Sequence, residues 1–138
     1  MRSWILVSAI TVWSVSSYAA EERTALQRGE YGPLDKAPGT ALYDYPLKVS
    51  EHVYSAIGAT QPPTYQNAGH NNNLSFVIGS ETVLVVNGGS NNALAKALHV
   101  EIKKVTDLPV KYVISENGQG HAVYGNHYWK SQGATLIG

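Results

Sequence analysis

The run Val83-Leu84-Val85-Val86-Asn87-Gly88-Gly89-Ser90-Asn91-Asn92-Ala93-Leu94 joins an uncharged apolar strand, a glycine turn and a helix start in direct succession. Ser90 or Asn91 can cap that helix with a side-chain oxygen. Leu94, Ala97, Leu98, Ile102 and Val105 then fall on one face at helical spacing, and Lys103 and Lys104 suit the negative end of the helix dipole. Asp107 and Pro109 end the helix. Val110-Lys111-Tyr112-Val113-Ile114 reads as the next strand. Strand, helix and strand in this order imply a parallel pair joined by a right-handed crossover. Val85, Leu98 and Val113 are the expected centre of its core. The first run lacks polar alternation, which predicts a strand covered on both faces.

Upstream, Leu74-Ser75-Phe76-Val77-Ile78 precedes Gly79-Ser80-Glu81, a hairpin signal leading into the Val83 run. Lys48 to Ile57 reads as a first strand with Val49, Val53 and Ile57 on one face. Residues 58–73 form a loop rich in Pro, Asn and Gly. Residues 20–47 hold no sustained period and read as an extended lead-in. Downstream, a glycine-rich loop from Glu116 to Gly120 leads to a short helix near Tyr124 to Gln132, and Ala134 to Ile137 makes a last apolar run. The order β, ββ, α, β, α, β predicts an α/β layer. The chain ends directly after that last run, which reads as an interrupted fold.

The N-terminus follows a different logic. Arg2, the apolar run Trp4 to Trp13 and the small residues of Ser17-Tyr18-Ala19 form the pattern of a secretory signal peptide over residues 1–19. The apolar stretch is short for a bilayer span, so no stable membrane span is expected after its removal. An uncleaved anchor is the other reading. Cleavage predicts a periplasmic or secreted protein.

Composition bounds the rest. The 138 residues carry ten Lys+Arg and ten Asp+Glu, for zero net charge, with 14% charged residues and no cysteine. One modest domain fits this length. Neutral charge without a basic run argues against nucleic-acid binding. The absence of cysteine removes disulfides, thiolate metal sites and a thiol nucleophile.

The spacing and flanks of the central region resemble the metallo-β-lactamase superfamily, over roughly Val49 to Gly138. In that family a strand ending in Asp-x-Gly, a helix and a Pro-Val-x-Tyr-Val-Ile strand precede a Thr-His-x-His-x-Asp-His loop and a Gly-Asn pair. Here the corresponding text is Val83 to Gly89, then Pro109 to Ile114, then Ser115-Glu116-Asn117-Gly118-Gln119-Gly120-His121, with Gly125-Asn126 following. The resemblance implies the first half of an αββα sandwich, occupying residues 48–138. One sheet face would then be left for association with a covering layer.

The resemblance also implies zinc, which would activate water against a small-molecule substrate. Residue by residue, the loop's first histidine falls on Glu116, its second on Gly118, its aspartate on Gly120 and its third histidine on His121. The strand-end aspartate falls on Asn87, expected to support the ligands from behind. Glu116 and His121 are therefore the candidate zinc ligands, and a pair of protein ligands makes at best a weak site. The alternatives are a solvated or helix-capping carboxylate at Glu116 and a hydrogen-bonded loop residue at His121. His70 and Asn117 are candidate loop residues of the site, with His70 either contacting substrate or simply exposed. Gly118 and Gly120 are expected to supply a tight turn with positive φ. His127 is expected to pack or cap, and His52 and His99 to lie on exposed faces. The function implied is an exported hydrolase-like protein with an altered zinc site. The alternative is a non-catalytic binding or structural module.

Overall fold

The computed structural model describes residues 36–138, so the signal-peptide expectation lies outside the described residues. The chain forms β1 (Leu47–Lys48), β2 (Val53–Ala56), β3 (Leu74–Ile78) and β4 (Val83–Val86), then α1 (Asn92–Val105) and β5 (Val110–Ile114). Two short helices, α2 (Gly120–Val123) and α3 (Asn126–Ser131), lead to β6 (Thr135–Ile137). The strands build one mixed sheet in sequence order. β1 to β4 run as an antiparallel meander, and β5 and β6 add in parallel after helical crossovers. The protein is an α/β fold.

The crossover forms as its spacing predicts. Asn91, rather than Ser90, caps α1: its Oδ1 accepts from Leu94 N at 2.9 Å. Leu94, Leu98 and Ile102 are fully buried and pack in one cluster with Phe76, Val83, Val85, Val113 and Trp129. Phe76, Val85, Val113 and Leu136 are successive cross-strand partners, so this cluster occupies one face of the sheet. The opposite face carries Val77, Leu84, Val86 and Ile114, which are half-buried, and Tyr112 and Ile137, which are exposed. Burial along β4 therefore alternates. The expectation of a strand covered on both faces is corrected: an all-apolar run records what the two faces can bury, and here the helices bury one of them.

Other local expectations also change. A turn at Ser50 breaks the single strand expected over Lys48 to Ile57, with Val49 N and Ser50 N donating to Val53 O at 2.8 and 3.2 Å. Val49 is left 64% exposed. Residues 36–46 are no open lead-in, because Ala37 donates to Leu42 O at 3.0 Å and Leu42 enters the core. The helix expected near Tyr124 to Gln132 forms as α3, and the short α2 precedes it as an unexpected element, with Gly125 between the two donating to Gly89 O at 2.6 Å. A Cβ at Gly125 would overlap the Gly88 carbonyl, so only glycine permits this approach. Trp129 Nε1 donates to that same Gly88 carbonyl at 3.0 Å and anchors α3.

Candidate functional site

The C-terminal ends of β4 and β5 open onto the loops that carry the candidate residues, the position where open α/β sheets bind ligands. Asn87 stands at the end of β4 with φ 68°, a left-handed conformation that asparagine tolerates better than most side chains. It is 3% exposed. Its Nδ2 donates to Asn73 O and its Oδ1 accepts from Glu116 N, both at 3.2 Å. Asn87 thus ties the loop before β3 to the loop after β5, and both ends of its amide are committed to backbone.

One wall of the site is the loop from Pro62 to Asn73. Its hub is Asn67, fully buried, whose Oδ1 accepts from Thr64 N and Gly69 N at 2.9 Å each while Nδ2 donates to Pro62 O at 3.0 Å. Two side chains at the start of α1 fasten the loop from below: Ser90 Oγ donates to Gly69 O at 2.6 Å, and Asn91 Nδ2 to Ala68 O at 2.9 Å. His70 belongs to this scaffold rather than to the surface. It is fully buried, its Nδ1 accepts from Tyr43 N at 2.8 Å, and its backbone bonds Asn67 and Ala59. The exposed histidine expected here is corrected: the loop folds inward over the segment 36–46, which the local sequence does not announce.

The other wall is the loop from Ser115 to His121. Glu116 and Asn117 are exposed, and Asn117 Oδ1 accepts from Gln119 N at 2.8 Å in a local turn. Neither Gly118 nor Gly120 has positive φ, contrary to expectation. Gly120 instead makes room for the Tyr124 ring, which a Cβ there would strike. His121 lies half-buried in the first turn of α2.

Two cavities occupy this edge. The larger, about 750 Å³, is lined by Tyr65, Asn71, Ser90, Asn91, His121 and Tyr124, among others. The smaller, about 500 Å³, is lined by Asn71, Asn72, Asn73, Asn87 and Glu116, among others. Asn71 borders both. Glu116 and His121 border different cavities, so the candidate ligand pair does not converge on one. Among the described residues no group of three or more His, Asp, Glu or Cys is placed to hold a metal. The buried polar atoms without a hydrogen-bond partner at this edge are amides: Asn71 Oδ1, both amide atoms of Asn72, and Asn126 Oδ1. A zinc ion favours imidazole, thiolate and carboxylate donors, so this donor set does not fit it.

No family model and no curated protein sequence matches the chain. Its site is therefore defined by its own residues.

The remaining histidines lie away from the cavities. His52 is exposed as expected, and His127 is exposed rather than packed. His99 is not on a bare face: its Nδ1 lies 3.0 Å from Tyr128 Oη, and its ring rests 5.4 Å from that of Trp129. Burial, aided by nearby Lys103, lowers its pKa below the ordinary histidine value, and burial raises that of Tyr128. This pair clasps α1 to α3, the helix that follows the Ser115–His121 wall and α2 in the chain.

Sequence reasoning missed Asn67, which does more than any other side chain to shape the first wall. The signal was present in Thr64-Tyr65-Gln66-Asn67, where an asparagine three residues after a threonine allows reciprocal side-chain and backbone bonds. Asn67 N completes that exchange by donating to Thr64 Oγ1 at 3.2 Å.

Proposed function

We propose that this chain is an exported, metallo-β-lactamase-like scaffold whose strand-edge site binds a small polar ligand in place of zinc-dependent hydrolysis. The antiparallel meander, the helical crossover and the half-open sheet face support the scaffold relationship. That apolar face also supports association with a covering layer. The N-terminal pattern of residues 1–19 supports export to the periplasm or beyond.

One observation carries the binding reading. The position matched to the family's strand-end aspartate is Asn87, and both ends of its amide hold backbone. An asparagine so occupied positions loops, and its neutral amide oxygen is a weaker metal donor than a carboxylate. Around it the cavities present mostly amides and hydroxyls, which recognise ligands by hydrogen bonding, with His121 and Glu116 on separate cavities.

The test is a fragment-library titration of the full chain, followed by amide chemical shifts. The reading predicts polar fragments whose shifts cluster on Asn71, Asn91 and Tyr124. Fragments that bind only elsewhere, or none that binds, would refute it.

A further inference from the structure

We propose that the larger strand-edge cavity is a binding site for a neutral carbohydrate, an inference that rests on the binding reading above and names its ligand class. Its rim carries two tyrosines that the fold leaves in water. Tyr65 is 93% exposed and Tyr124 is 71% exposed, and both line the cavity. An exposed aromatic ring has an apolar face and a polar tip. A sugar ring matches it, with C–H groups on one face and hydroxyls at the edge.

The interior of the cavity has the complementary chemistry. Its polar side chains include Thr64, Asn71, Ser90 and Asn91, of which Asn91 is already bonded at both amide ends, and among the described residues no carboxylate lines it. An amide presents a donor and an acceptor side by side, and so does a pair of neighbouring sugar hydroxyls. Asn71 Oδ1 is buried without a hydrogen-bond partner. An orphaned acceptor of this kind is destabilising, and a small rotation of the side chain toward a ligand hydroxyl would relieve it. The volume of about 750 Å³ suits a small ligand rather than a polymer groove.

The wall is also built in advance. Ser90 and Asn91 hold the carbonyls of Gly69 and Ala68, and Ala68 keeps a positive φ of 51° that an alanine rarely adopts. Surroundings that hold such a conformation over-determine the loop. A fixed wall reduces the ordering cost of binding, which matters for a ligand whose hydroxyls must first leave water. Against an anionic ligand, Lys36 is the only lysine or arginine lining the cavity among the described residues.

The experiment is a titration of the full chain with glucose, galactose, mannose, N-acetylglucosamine and their disaccharides, with inorganic phosphate as the charged probe. The readouts are the Asn71 side-chain amide and the Tyr65 and Tyr124 ring resonances. One sugar should shift these signals saturably, with an affinity insensitive to salt. Tyr124→Ala or Tyr65→Ala should weaken it about tenfold, while Tyr124→Phe, which keeps the ring, should retain most of it. Tyr65 is almost fully exposed, so its alanine variant should leave the rest of the spectrum in place, and changes in Tyr124→Ala should stay near Gly120, on which that ring packs. Saturation by phosphate instead, no response to any sugar, or sugar binding unchanged in both alanine variants would each overturn the proposal. Fragment binding in this cavity without sugar binding would sink the carbohydrate and leave the binding module standing. Absence of both would sink the two together.

Discussion

The loop from Pro62 to Asn73 and the loop from Ser115 to His121 face the same strand edge, yet they are held in different ways. The first is fastened at its centre by Asn67 and from below by Ser90 and Asn91. The second has one turn bond of its own, from Gln119 N to Asn117 Oδ1, and its external ties sit at its start, from Ser115 N to Ile137 O and from Glu116 N to Asn87 Oδ1. A metal centre needs fixed donors on the loop that supplies them. Here the ordering lies in the amide-rich wall, and the loop matched to the metal motif is the exposed one. The contrast points to a site organised for hydrogen bonding.

Removing the hub of the first wall should have the largest effect. Asn67→Ala deletes three hydrogen bonds between its buried amide and backbone, at about 1 kcal/mol each. Denaturant unfolding should show a loss of about 3 kcal/mol. A loss below about 1 kcal/mol would mean that the wall is not held as described.

The second prediction concerns the tie between the walls. Asn87→Asp introduces the carboxylate that the resemblance would imply, but it replaces the donor facing Asn73 O with an acceptor. The expected cost is about 2 kcal/mol, with no gain in zinc affinity. Higher stability or tight zinc binding in this variant would reverse the role assigned to Asn87.

The sequence made one of these regions much easier to read than the other. Val85, Leu98 and Val113 are fully buried, as their spacing predicts, because strand and helix periods are local properties of the chain. The candidate site follows no such period. His70 sits among loop polar residues and is nevertheless buried, since its partner Tyr43 is distant in sequence. Asn87 could be singled out from its place at a strand end, but its two backbone partners belong to loops that meet only in the folded chain. The start of the last helix at Gly125 depends likewise on the approach of Gly88 and Gly89.

A smaller effect should separate the walls by pH. The folded-state pKa of His99 is lowered, so between the ordinary histidine value and that lower one the unfolded chain binds more protons. Stability from this group is full above pH of about 6.5 and declines as pH falls toward the folded pKa. Because His99 is partly solvated, the fall in Tm should be only a few degrees. His99→Gln should abolish this contribution. Hydrogen exchange should quicken in α2 and α3 on acidification, beyond the intrinsic pH effect, while the Asn67 loop holds. Equal loosening of both walls would count against the clasp.

The smallest effect belongs to Asn117→Ala, which removes a solvent-exposed turn bond. Its cost should be under about 0.5 kcal/mol, with ligand binding in the larger cavity unchanged. A cost matching that of Asn67→Ala would erase the difference between the walls.

The most direct measurement is zinc stoichiometry on the full chain after exhaustive dialysis, with the His121→Ala variant beside it. A site whose carboxylate and imidazole border separate cavities should retain no more zinc than that variant. One zinc retained per chain and lost in His121→Ala would contradict the account, and would make the strand edge a metal centre.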